Sequence, residues 1–177
     1  MLRGDLIELR LVREGDLGTF YELTTNLAAR GAYFPLGVTS EPRLRARFAE
    51  SGFWGEDEGM LLITTHGGEI VGEIEFFPIT HYLQGYEISY QLFGEEHHGK
   101  GYTTESVMLI VDYLFGRKRV HRMQLNIHPD NVASKQVALK CGFTVEGVMR
   151  GCWFHRGEYH DLEVWSRLRT DGASTGA

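Results

Sequence analysis

The stretch His98-Gly99-Lys100-Gly101-Tyr102-Thr103-Thr104 combines two glycines, a basic side chain and a pair of hydroxyls. An apolar run of period two, YEISYQLF over residues 86–93, stops at Gly94, and a helical apolar pattern begins soon after Gly101. A helix N-terminus offers unpaired backbone N–H groups and the positive end of its macrodipole, so the turn before it can hold a phosphate. Gly99 and Gly101 remove the side chains that would keep a pyrophosphate from those amides, while Lys100, Thr103 and Thr104 add a charge and donors. The amides of residues 98–103 are therefore candidate ligands of a phosphate-bearing cofactor, with an ordinary strand-to-helix turn as the plainer alternative. A dinucleotide-binding turn would place a third glycine where Thr104 stands, and a P-loop would follow Lys100 with Ser or Thr rather than Gly101.

The chain that carries this turn has 177 residues, enough for one domain with a sizeable core. Its net charge of −6, with no strongly basic block, gives no electrostatic footprint for nucleic acid. Polar residues interrupt the N-terminal apolar pattern and no apolar run is long enough for a bilayer, so a cytoplasmic protein with no membrane partner is expected. Two cysteines do not make a disulfide framework, and Cys141 falls in a helical apolar stripe as a small core residue. The eight histidines come without HExxH or a zinc-type Cys/His grouping, so no metal site is expected.

The elements that must position the turn follow from periodicity. Residues 6–12 alternate as a half-buried strand, Asp16 is placed to cap a first helix, and Ser40 with Pro42 starts a second helix that runs to about Glu50. Two strands turn at Gly67 and Gly68, and a further turn near Gln84 and Gly85 leads into the strand that feeds the glycine-rich stretch. The helix after Thr103 is placed to end at Gly116. The next strand carries Met123, Leu125 and Ile127 on one face and Arg122, Gln124, Asn126 and His128 on the other. Residues 131–141 form a short helix capped by Gly142, and a long hairpin turning at HRGE closes the body. A domain over residues 1–169 and a disordered tail over 170–177 are expected.

This order of elements resembles that of the GCN5-related N-acetyltransferase family. HHGKGYTTES resembles the family's acetyl-CoA motif, and NVASKQVALKCGF its downstream asparagine-helix-glycine-phenylalanine segment. GYEISYQL, FTVEGVMR and YHDLEVWSR look most like the RimJ/RimL branch, which acetylates ribosomal-protein N-termini. The resemblance implies an α+β, three-layer fold: a mixed, mostly antiparallel sheet of about seven strands flanked by about four helices. It also implies acetyl-CoA as cofactor and direct transfer to a primary amine, a protein N-terminus or a small molecule, in a ternary complex, with a homodimer possible. Glu96 stands at the family's usual Gln or Arg, Ala138 where many relatives have a tyrosine that acts as general acid, and Trp153 where RimL-type enzymes have a catalytic glutamate. Those departures keep open a CoA-binding regulatory domain without turnover. Transfer of a longer acyl group, decided by room near Phe76, Phe77 and Tyr90, also stays open.

Carried onto this chain, the resemblance assigns Gln91, Leu92 and Phe93 to the pantetheine arm through their backbones. It assigns His98, Gly99, Lys100, Gly101, Tyr102, Thr103 and Thr104 to the pyrophosphate, with Asn126 and Asn131 also toward the cofactor. Ser134 is a donor to the departing thiolate and a cofactor contact. Asn131 and Ser134 have a structural alternative, as cap and first turn of their helix. Glu87 is the first candidate base and Glu75 the second, because a carboxylate whose pKa burial raises can accept an ammonium proton. His160 and Asp161 come third and are also expected to shape the acceptor pocket, with Tyr33, Phe34 and Trp153 as its walls. Convergence of Glu73, Glu75, Glu87 and Asp161 would favour a cationic acceptor.

Overall fold

The computed structural model describes residues 1–80 and 82–172. In chain order the elements are β1 (Leu2–Arg3), β2 (Ile7–Leu11), α1 (Leu17–Thr25), α2 (Glu41–Ser51), β3 (Gly59–Thr65), β4 (Ile70–Thr80) and β5 (Leu83–Leu92). They continue with α3 (Tyr102–Arg117), β6 (Arg122–Ile127), α4 (Val132–Lys140), β7 (Thr144–His155) and β8 (Glu158–Leu168). The strands form one sheet in the order β1-β2-β3-β4-β5-β6-β8-β7, so the two-residue β1 makes eight strands where about seven were expected. Every neighbouring pair is antiparallel except β5 and β6.

Two apolar layers hold the sheet. On one face α3 inserts Val107, Ile110, Val111 and Leu114 against Ile74, Ile88, Met123 and Leu125, and Ala138, Cys141 and Phe143 complete this core. On the other, Leu17 and Phe20 of α1 and Leu44 of α2 pack with Phe53, Leu62 and Phe93. The second layer is smaller, which leaves the polar alternate residues of β4, β5 and β6 partly uncovered.

Several ends differ from the sequence reading. Asp16 does not cap α1: its carboxylate accepts from Arg10 at 2.6 and 2.9 Å and from the Arg13 amide at 2.7 Å, closing a 3-10 turn over Glu14–Asp16 instead. The second hairpin turns between Thr80 and Leu83, so Gln84 and Gly85 lie within β5. α3 continues through Gly116 to Arg117, where the Lys118 amide donates to Leu114 O at 2.9 Å. Gly142, with φ of 75°, ends α4 as expected, while the Phe143 amide donates to Ala138 O at 2.9 Å. Of the tail expected from Thr170, residues 170–172 belong to a 3-10 turn over Arg169–Gly172, and 173–177 lie outside the described residues. Among the described residues no helix is long and apolar enough to cross a membrane, and no cluster of three or more His, Cys, Asp or Glu side chains is fit to hold a metal ion.

Candidate active site

The parallel pair, β5 with β6, is the one such pair among the described residues and creates the site. β5 and β6 pair only at Tyr86 with Met123 and Glu87 with Gln124, although both strands run on, to Leu92 and Ile127. Beyond those two rungs they part, and a cleft of about 240 Å³ opens. Glu87, Ser89 and Tyr90 line it from β5, Asn126 and His128 from β6 and its end, and Asn131 and Ser134 from the start of α4. Tyr33, Phe34 and Pro35 of the α1–α2 loop and Trp153 of β7 close it over.

Backbone groups alternate along a strand, so only every second residue faces the gap. The Phe93 amide donates to Val71 O at 2.9 Å, across to β4, and Gln91 opposite Glu73 points the same way. Of the three residues expected to meet the pantetheine arm, Leu92 alone presents its backbone to the cleft, and Tyr90 takes the place of the others. The side chain of Gln91 is also spent, donating to Glu73 Oε1.

The glycine-rich turn has the backbone such a site requires. Gly99 and Gly101 have φ of 72° and 86°, left-handed values that favour glycine, and Gly101 leads directly into α3. The His98 amide is not available, since it donates to Glu95 O at 3.0 Å. The amides of residues 99–104 meet no acceptor among the described residues; from Gly101 on this follows because the first amides of a helix have no carbonyl one turn back. Glu105 steadies this end of α3: its carboxylate accepts from the amides of Asp5, Leu6 and Ile7 at 2.8–2.9 Å. Lys100 is exposed, with its ammonium 5.9 Å from the Tyr102 ring centre.

Three carboxylates share the polar face of the sheet. Glu73 and Glu75 stand opposite Gln91 and Ser89, and Glu87 two residues before Ser89. Burial pushes the Glu73 carboxyl up to about 7, against the Gln91 donor, with Glu75 adding repulsion and Arg30 attraction. Glu73 Oε2 is buried without a hydrogen-bond partner among the described residues. Burial likewise raises Glu75, offset by Arg47 and Ser89 and reinforced by Glu58. Burial raises Glu87 too, while the Asn126 amide, 2.8 Å from Oε2, pulls it back and Glu75 pushes it further up. Asp161 does not join them. It is exposed on the closing hairpin, where Oδ1 accepts from the Gly151 amide at 2.7 Å.

At α4, Asn131 Oδ1 accepts from the Ser134 amide at 3.1 Å, so the capping role is present and both residues still reach the cleft. The Tyr90 hydroxyl lies beside that of Ser134 without a hydrogen bond of good geometry, and it is buried without another partner. Burial holds this phenol up at about 12, so it stays protonated and can only donate or accept. The sequence pointed to Tyr90 only as a residue near which room for a longer acyl group is decided, because nothing in the alternation says which hydroxyl will be left without a good partner.

The roof is pinned by histidines. The Asp130 amide donates to His128 Nδ1 at 3.1 Å, which puts the proton on Nε2; that proton points at His160 Nδ1, 3.2 Å away, and His160 Nε2 donates to His155 O at 3.1 Å. Tyr33 stacks on His128 with centroids 4.8 Å apart, Trp153 stacks on His155 at 4.2 Å, and His155 Nε2 donates to Ala32 O at 2.9 Å. His160 therefore stands behind the cleft, bracing His128, rather than in its lining. Arg30 organises the loop itself, donating to the carbonyls of Thr24, Pro35 and Gly37.

A sheet that splays at a parallel pair, next to a glycine-rich helix start, is the arrangement that the resemblance to the GCN5-related family implied, and a family model described as "Acetyltransferase (GNAT) domain" matches residues 7–144. The chain belongs to that family. Among individual proteins it is 34% identical over 111 residues to the probable N-acetyltransferase YjcK of Bacillus subtilis, covering 62% of this chain and 61% of that one. It is 29% identical over 100 residues to the ribosomal-protein-serine acetyltransferase of Escherichia coli, covering 56% of this chain and 55% of that one. These matches span less than two thirds of the relatives' length. In structure it resembles the spermidine N-acetyltransferase of Vibrio cholerae in complex with CoA and spermine, with a TM-score of 0.82, 21% identity, and 95% and 98% of the two chains covered.

Proposed function

We propose that the protein is an acetyl-CoA-dependent N-acetyltransferase that transfers the acetyl group directly to a primary amine. The observation that carries this reading is the placement of Glu87: a half-buried carboxylate held by Asn126 in the wall of the β5–β6 cleft, on the strand that leads into a turn and helix start whose six amides at residues 99–104 have no acceptor among the described residues.

When bound, acetyl-CoA supplies the thioester carbonyl to which the amine adds. The amides of residues 99–104, with the N-terminal end of the α3 dipole, take the pyrophosphate. The backbone groups of Tyr90 and Leu92 accept strand-like pairing from the pantetheine arm. Glu87, kept from ionising too readily by burial, takes the proton of the incoming ammonium. A C–N bond forms, the C–S bond breaks, sulfur leaves with the bonding pair as a thiolate, and the second proton shed by the acylated nitrogen passes to that sulfur to give the free thiol. The Ser134 hydroxyl, with Tyr90 behind it, donates a hydrogen bond to that sulfur.

The acceptor reading rests on charge and shape. Glu87 lines the cleft together with the aromatic walls at Tyr33, Phe34 and Trp153, and Glu73 and Glu75 share its face of the sheet outside the lining, an acidic setting that suits a cationic amine. A relative named as a spermidine N(1)-acetyltransferase supports the same reading, and one named as a ribosomal-protein-serine acetyltransferase keeps a protein acceptor in the panel.

The test is thiol release from acetyl-CoA with a panel of N-terminal peptides, polyamines, amino acids and aminoglycosides. A strong hit is expected among the cationic amines, with Glu87→Gln lowering kcat by roughly a hundredfold and leaving the Kd for CoA nearly unchanged. CoA binding by calorimetry without thiol release from any amine would instead favour a binding domain without turnover, with Trp153 filling the place of a reactive group.

A further inference from the structure

The polar face of β6 carries a chain of hydrogen bonds that ends on Glu87. Arg122, Gln124 and Asn126 alternate on that face, and each is joined to the next. Arg122 Nη2 donates to Gln124 Oε1 at 2.9 Å, Gln124 Nε2 to Asn126 Oδ1 at 3.1 Å, and Asn126 Nδ2 to Glu87 Oε2 at 2.8 Å. The far end is anchored on the closing hairpin: Arg122 makes a two-pronged contact with Glu146 at 2.6 and 2.7 Å, and Ser166 Oγ donates to Glu146 Oε1 at 2.6 Å.

We infer that Gln124 and Arg122 are positioning residues for Glu87, holding Asn126 in the one amide orientation that presents a donor to the carboxylate.

Direction supports this. An amide is two-faced, so Asn126 could as well turn its oxygen toward Glu87, where it would repel the carboxylate. Gln124 prevents that turn by donating to Asn126 Oδ1. Gln124 is itself oriented by Arg122, which has donors only. All three links run donor to acceptor toward Glu87, and such chains polarise one another in a low-dielectric setting. Gln124 is 7% exposed, so a broken link would leave a buried polar group unpaired.

The other charged group acting on Glu87 is Glu75 of β4, which opposes its ionisation; Glu75 is in turn influenced by Arg47 of α2 and by Glu58. Neither contacts the β6 chain. Removing the chain therefore withdraws stabilisation of the Glu87 anion and leaves the repulsion in place. Its pKa should rise, and a step that needs the ionised form should require a higher pH.

This rests on Glu87 as the base, and the test separates the two. The carboxyl carbon of Glu87 is followed by NMR titration in protein without substrate, alongside the pH dependence of kcat/KM and the Kd for CoA. Gln124→Met, close in volume, and Arg122→Met are each expected to move the Glu87 titration up by roughly one pH unit, the scale of one hydrogen bond to a charged group. The acid limb of the rate should move with it, the Kd for CoA should stay within about twofold, and Arg122→Lys, which keeps a charged donor, should restore most of the shift. A Glu87 resonance that titrates as in the parent in both Met variants overturns the inference. A displaced titration with an unmoved acid limb upholds the positioning and removes Glu87 from the proposed chemistry.

Discussion

Tyr90 shows how much of a site is decided by what a side chain lacks. Its hydroxyl is buried beside that of Ser134 without a hydrogen bond of good geometry among the described residues, an arrangement that costs stability unless something outside the chain makes use of it. Tyr90→Phe removes only that oxygen. It is expected to leave Tm unchanged or to raise it, because a buried hydroxyl without a partner is worth about 1–3 kcal/mol against the fold, while slowing thiol release several-fold. A variant as fast as the parent takes Tyr90 out of the proposed reaction. At this scale the sequence was informative where a residue acts by its own chemistry. Alternation and resemblance singled out Glu87, Tyr33, Phe34 and Trp153, which line the cleft, and also Glu75, which shares the face of Glu87 but is outside the lining. Asp161 was misplaced because a hairpin with register shifts does not keep a simple alternation: the β7–β8 pairing slips between Met149 and Trp153.

At the scale of elements, the turn from β5 into α3 carries the most. Its glycines were legible because a left-handed backbone has few substitutes, and the structure gives Gly101 a φ of 86°. Gly101→Val puts a branched side chain at that φ, with its Cβ 3.2 Å from Leu6 Cδ1. The expected result is a loss of CoA affinity of roughly tenfold or more by calorimetry, with the far-ultraviolet circular dichroism of the parent. Parent-like affinity in the folded variant would remove the turn from cofactor binding. Which amides the turn offers was less legible. Residue 98 was counted with the free donors, but a 3-10 turn over Glu95–His97 claims its amide. Strand backbones posed the same difficulty: sequence shows that 91–93 are extended, whereas the neighbour each residue bonds to depends on a register set by β4.

For the whole molecule, the three-layer α+β architecture was legible from the order of periodic segments, since strand and helix patterns persist over whole elements. The short β1 was not, because two residues carry no period. The buried acids tie that architecture to pH. Glu73 has an ordinary value of 4.5 and stands at about 7 in the fold. Between those values the folded chain holds a proton that the unfolded chain has lost, so stability contributed at this site falls as pH rises through the window and then levels off. Glu73→Gln, which cannot ionise, is expected to gain stability over the parent at about pH 8, by up to about 3 kcal/mol, and little at about pH 5. Denaturant midpoints at the two pH values measure it; an equal effect at both would show that Glu73 does not titrate in this range.

The two rungs between β5 and β6 also have a mechanical meaning. The eight strands make two plates, β1 to β5 and β6 to β8 with β7, riveted at Tyr86–Met123 and Glu87–Gln124 and sharing α3 as a spine. One rivet is the pairing of Glu87 itself, so the carboxylate sits on the hinge line, where a change in the angle between the plates displaces it least. The opposite ends of the plates, near Leu92 and Ile127, move furthest for the same angle, and that is where the gap can widen for long occupants without disturbing the reacting group.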